Sequence, residues 1–170
     1  MKLPTTLAGC MAFATLIVRA ADTTPPPPAA APAVPLKLLV EAAQAAIASC
    51  SAAGWPVAVT VMDPDLTPRL MLRADGAGKG VVDISRRKAY TVIKTGMSSG
   101  DFAKTLPSEV ASAPESQPVN GDPELIARAG GVPILLNGKM VGAIGVSGRP
   151  RGADVDCANA GLARISGVGK

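Results

Sequence analysis

VPILL (132–136), Asn137-Gly138 and KMVGAIGVS (139–147) form the stretch on which the fold turns. Asn-Gly between two apolar runs predicts a type I′ hairpin, because both central residues of that turn need positive φ and these two types adopt it most readily. Two further strands follow from the same kind of reading. VAVTVM (57–62) is rich in β-branched residues, Asp63-Pro64-Asp65 marks a turn, and RLMLR (69–73) alternates polar with apolar. Together they predict a second hairpin with a loop of about five or six residues. LIAR (125–128) reads as one more short strand.

Working outward, residues 36–53 place Leu36, Leu39, Val40, Ala43, Ile47 and Cys50 on one helical stripe that Gly54 ends. After the flexible DGAGKG connection (75–80), Asp83 or Ser85 caps a helix running to Lys94. Ala89, Val92 and Ile93 form its buried stripe, and Gly96 stops it. Ser98 and Asp101 open a short helix through Leu106 with a capping-box-like spacing. Residues 107–123 form a polar, proline-bearing loop long enough to carry either function or disorder. Asp154 caps a last helix over 155–165. The order predicts an α+β fold, a five-stranded antiparallel sheet with flanking helices.

The two ends differ from this domain. Residues 1–20 read as a signal peptide: Lys2 supplies the positive start, an apolar run of twelve covers 7–18, and Val18-Arg19-Ala20 sets a cleavage site. The run is too short to span a bilayer, for which about 20 apolar residues are needed. The chain is therefore expected to be periplasmic or secreted, with no stable membrane insertion once the signal is removed. Leu7-Ala8-Gly9-Cys10 does not close the apolar run as a lipidation box does. Residues 21–35 are a proline-rich spacer, which favours extended backbone and builds no core. The folded domain covers 36–170. Cys50 and Cys157 either pair, which requires the first and last helices to be neighbours, or lie buried as free thiols.

Composition excludes several classes of function. Phe13, Trp55, Tyr90 and Phe102 are the chain's four aromatic residues, too few for a base-stacking surface. A net charge of +4 is too mild for a nucleic-acid partner. Histidine is absent, which removes imidazole-based triads, metal sites and haem ligation by histidine. Ser98, Ser99 and Ser147 thus lack a catalytic partner, and Ser85-x-x-Lys88 stands without a second motif. Asp63, Asp65, Asp75 and Asp83 read as turn formers, since no calcium-loop spacing surrounds them.

Two clusters carry the remaining chemistry. In Ser85-Arg86-Arg87-Lys88-Ala89-Tyr90-Thr91, a helical period places Arg86, Arg87 and Tyr90 on one side while Lys88 diverges. This is either a clamp for carboxylates near a helix N-terminus or a solvated basic face. In Gly145-Val146-Ser147-Gly148-Arg149-Pro150-Arg151, glycines beside arginines suit either an anion cradle or close packing of a strand.

ADGAGKGVVDISRRKAYTVIKTG (74–96), GGVPILLNGKMVGAIGVSG (130–148) and DVDCANAGL (154–162) together resemble the GlcG/HbpS family, whose relatives include the PduO C-terminal domain. The resemblance implies a profilin-like or PAS-like sheet with flanking helices, a homo-oligomer and a small-molecule ligand. It implies haem or a related flat, acid-bearing molecule, held here without histidine. Tyr90, Lys88, Thr91, a methionine or a cysteine thiolate are the iron ligands left, and Arg86 and Arg87 would meet the acid groups. The ligand-binding set is then Arg86, Arg87, Lys88, Tyr90, Thr91, Ser147 and Arg149. Two other readings stand beside it. One is an enzyme on a small hydroxy- or keto-acid with Lys88 or Tyr90 as base; the other is a structural oligomer with a vestigial pocket.

Overall fold

The computed structural model of the chain describes residues 34–149 and 153–165. The expected signal peptide and nearly all of the proline-rich spacer lie outside the described residues. In chain order the elements are α1 (Leu36–Ala52), β1 (Ala58–Met62), β2 (Pro68–Arg73), α2 (Gly80–Thr95), α3 (Ser99–Lys104), α4 (Ser108–Ala111), β3 (Gly131–Leu136), β4 (Lys139–Ser147) and α5 (Asp154–Leu162). The fold is α+β, with an antiparallel sheet in the order β2-β1-β4-β3.

The β3–β4 turn forms where Asn137 and Gly138 adopt φ of 51° and 74°, as a type I′ hairpin requires. β4 carries one extra residue. Ile134 pairs with Gly142 and Leu135 with Met140, so Val141 bulges and the side-chain alternation shifts by one. Beyond the bulge, Ile144 and Val146 join Val59 and Val61 of β1 beneath α1 and α5. Ala143 and Met62 meet Ala89 and Val92 of α2. Helices therefore cover both faces of the central strands, which is why all five residues of β1 are buried.

α1 and α5 pack side by side, and Cys50 and Cys157 are joined across them by a disulfide with a Cα–Cα distance of 5.6 Å. With a sequence separation of 107 between the cysteines, the chain-entropy model assigns the link about 4–5 kcal/mol. The pairing leaves neither residue as a thiolate for iron.

Four strands, not five, form the sheet among the described residues. Residues 125–128 run as coil because side chains, not a neighbouring strand, satisfy their backbone. Leu125 O accepts from Arg87 Nη2 at 2.9 Å, Ile126 N donates to Thr91 Oγ1 at 2.9 Å, and Arg128 O accepts from Ser99 Oγ at 2.6 Å. The helix starts also differ from expectation. α2 begins at Gly80, so Asp83 falls in its first turn, and buried Ser85 hydrogen-bonds Val82 O and Thr60 Oγ1. α5 includes Asp154, whose carboxylate turns inward instead of capping the helix. Part of the expected 107–123 loop folds as α4.

α2 lies close to the sheet because its tightest backbone approaches there are to glycines. A Cβ on Gly145 would fall onto Ser85 O, with Ala89 N at 2.8 Å, and one on Gly131 would meet Lys88 O at 2.5 Å. Backbone on both sides leaves no side chain to swing away. Gly145→Ala is therefore expected to lower stability by about 3 kcal/mol or more, read by urea unfolding; a loss under about 1 kcal/mol would contradict this packing.

Candidate functional site

Three consecutive cations on α2 meet three different fates. Arg86 reaches outward, 2.7 Å from Asp83 Oδ1 and paired with Glu124, and these carboxylates raise its pKa through the hydrogen bond to Glu124 first. Arg87 is buried and donates to two backbone carbonyls, Glu115 O at 2.6 Å and Leu125 O at 2.9 Å. Lys88 points into the interior. Its Nζ lies 2.7 Å from Asp154 Oδ2 and donates to Val146 O at 2.9 Å, with both side chains 3% exposed. Burial pushes the Lys88 ammonium below its ordinary pKa, and the Asp154 charge opposes that shift.

The ion pair organises the end of β4. The other oxygen of Asp154 accepts from Arg149 N at 2.8 Å, so one carboxylate holds both α2 and the segment leaving the sheet. Gly130, at φ +124°, makes the room: a Cβ there would sit 2.8 Å from Asp154 Cβ and 2.9 Å from Lys88 Nζ.

Beside this segment opens a groove of about 760 Å³, lined by Trp55, Gly80, Val81, Ile84, Glu115, Ser147, Gly148 and Arg149. That volume falls within the usual range for small-molecule sites, about 300–1,000 Å³. Trp55 is 40% exposed and supplies a flat aromatic wall. Val81 and Ile84 add apolar surface, and α2 begins at the groove's edge with its positive end. Gly148 is needed for the shape, since a Cβ there would meet Pro56 O at 2.5 Å. Arg149 donates from Nη1 to Ala153 O at 3.2 Å, while its buried Nε has no hydrogen-bond partner.

A second, more enclosed hollow of about 280 Å³ lies beneath α4 and the chain that follows it. Arg87, Val110, Val119, Ile126, Ala127 and Arg128 are among its walls. Two arginines strap the cover down: Arg87 to Glu115 O, and Arg128 to Ala111 O at 2.5 Å and Ala113 O at 2.7 Å.

The seven residues singled out in the sequence are thus dispersed. Ser147 and Arg149 border the groove, and Arg87 borders the inner hollow. Arg86, Lys88, Tyr90 and Thr91 line neither. Tyr90 donates to Asp122 Oδ2 at 3.0 Å, and burial followed by that carboxylate raises its pKa. Thr91 Oγ1 accepts from Ile126 N. Trp55, Val81, Ile84 and Arg128 escaped the sequence reading. Trp55, the chain's single tryptophan, follows Gly54 beyond the end of α1 and belongs to no periodic or motif pattern that marks it as a site residue. Among the described residues, no group of three or more potential metal ligands clusters, and no helix is long and apolar enough to cross a membrane.

Residues 34–163 match the family described as haem degrading protein HbpS-like. The chain belongs to this family. Its structure is similar to the crystal structure of HbpS, with 32% identity and a TM-score of 0.67 over 79% of this chain and 91% of that one. It shares its fold with PduOC, solved as a haem complex, at 20% identity and a TM-score of 0.69 over 78% of this chain and 95% of that one. An uncharacterized 15.0 kDa protein from the dhaT-dhaS intergenic region of Citrobacter freundii is 33% identical over 106 residues, covering 62% of this chain and 73% of that protein.

Removing one partner of the buried ion pair strands a charge in the interior. Lys88→Met is expected to cost about 3–5 kcal/mol in urea unfolding, and Lys88→Met combined with Asp154→Asn to cost less than the single change. A neutral Lys88→Met would show that the pair does not hold α2 to α5.

Proposed function

We propose that this chain is an exported, oligomeric binding protein for haem or a related flat, acid-bearing molecule, taken into the groove between Trp55 and Arg149. The groove itself carries the reading. It combines an exposed indole, two aliphatic side chains and a guanidinium whose buried Nε–H is unpartnered, a surface suited to a flat ring that bears carboxylates. Membership of a family named for haem supports the same ligand class.

The residues fit the group in two respects. Trp55, Val81 and Ile84 would meet the macrocycle; Arg149 and the N-terminal end of α2 would meet its acid groups. Glu115 and Ser147 are the side-chain oxygen donors of the groove, so iron ligation without histidine falls to one of them in this proposal. When bound, haem would supply a redox-active iron. The protein's own contribution is to seat the ring and to neutralise its carboxylates.

The disulfide favours an oxidising, exported compartment, periplasmic or extracellular. Association of copies is supported by Met71 on edge strand β2 and Leu135 on edge strand β3, 41% and 52% exposed.

Titration of the full chain with hemin is expected to give a saturable Soret shift. Arg149→Ala, checked for folding by circular dichroism, should weaken it by about tenfold to a hundredfold through loss of a charged hydrogen bond. Absence of a shift, or equal affinity in folded Arg149→Ala and Trp55→Ala variants, would overturn the proposal.

A further inference from the structure

Lys88 and Arg87 are adjacent buried cations, 3% and 7% exposed. Burying a charge is costly unless an opposite charge accompanies it. Lys88 has Asp154. Among the described residues, Arg87 has no carboxylate within ion-pair distance; its guanidinium meets two neutral carbonyls, and its buried Nε has no hydrogen-bond partner. This same side chain forms part of the wall of the inner hollow. The interior thus holds a cation without an ion-pair partner, next to a partly open hollow.

We propose that this hollow binds a small monocarboxylate, which supplies the negative charge that Arg87 lacks. A guanidinium has five N–H donors, of which the two carbonyls take two, so the Nε–H and further Nη hydrogens remain for a carboxylate. The rest of the wall selects the ligand's other end. Val110, Val119, Ile126 and Ala127 are apolar, which suits a short hydrocarbon tail. A volume of about 280 Å³ sits at the small end of ligand pockets and is well below the 760 Å³ of the outer groove. Glu109 and Glu115 also border the hollow, but both residues are exposed. Glu115 Oε1 stands 3.6 Å from Arg128 Nε, so that carboxylate pairs with the other arginine. Two acidic groups at the rim disfavour a dianion and leave a single negative charge as the better match.

The hollow shares Glu115 with the groove and is otherwise lined by different residues, and its test is separable from that of the groove. Butyrate and its neutral isostere butyramide are the probes, with amide shifts of Val110, Val119 and Ile126 followed by NMR on the full chain. Butyrate is expected to shift these amides saturably and butyramide to leave them in place. Ala127→Leu, which adds bulk to a wall of the hollow at a residue that does not line the groove, should weaken butyrate at least about tenfold and leave the hemin titration unchanged. If Ala127→Leu does not fold, Arg87→Lys, which keeps the charge but loses the planar fork, should show the same weakening. No saturable shift by about 10 mM butyrate, equal shifts with butyramide, or undiminished affinity in the folded variant would each overturn the proposal.

Discussion

The ammonium of Lys88 and the carboxylate of Asp154 lie 2.7 Å apart in the interior, and the parts around the groove are located by that contact. Through it α2 is tied to the start of α5, and through the second oxygen of Asp154 the chain leaving β4 is tied to both. Such a pair is expensive to bury and is more a positional device than a source of net stability. Its position constrains the neighbouring sequence. Gly130 and Gly131 stand where a Cβ would collide with Lys88 or Asp154, and Gly145 lets α2 descend onto the sheet. The end of β4 and the first turn of α2 are thereby brought together, and the groove opens between them.

This arrangement explains a basic run that looks like a single patch. Arg86, Arg87 and Lys88 differ by about 100° per residue around α2, so consecutive side chains leave the helix in different directions. One meets surface carboxylates, one straps a loop, and one enters the core. The guanidinium bordering the groove comes from elsewhere, from Arg149 just beyond β4. The function proposed for the groove therefore rests on strand-exit residues more than on the helix that supplied most of the candidates.

Much of the fold was legible because its signals are local. The Asn137-Gly138 turn depends only on its own φ requirements, and the stripe expected from Leu36 to Cys50 depends only on helical period, which buries Leu39, Ala43 and Cys50 but leaves Leu36 at the helix start exposed. Residues 125–128 were misread because their backbone partners, Arg87, Thr91 and Ser99, lie at least 29 positions away and resemble surface residues in sequence. Asp154 was misread for the same reason. An aspartate before a helix is a cap by local rules, and only the tertiary position of Lys88 turns it inward. The site was partly legible: Ser147 and Arg149 border the groove, whereas Trp55 carried no periodic or motif signal.

Because Trp55 is the chain's single tryptophan and forms a wall of the groove, its fluorescence reports directly on occupancy there. Hemin seated against the indole is expected to quench that emission saturably, in step with the Soret change and at the same stoichiometry. A full Soret change with Trp55 emission left unquenched would contradict the account, because the ligand would then lie away from the groove.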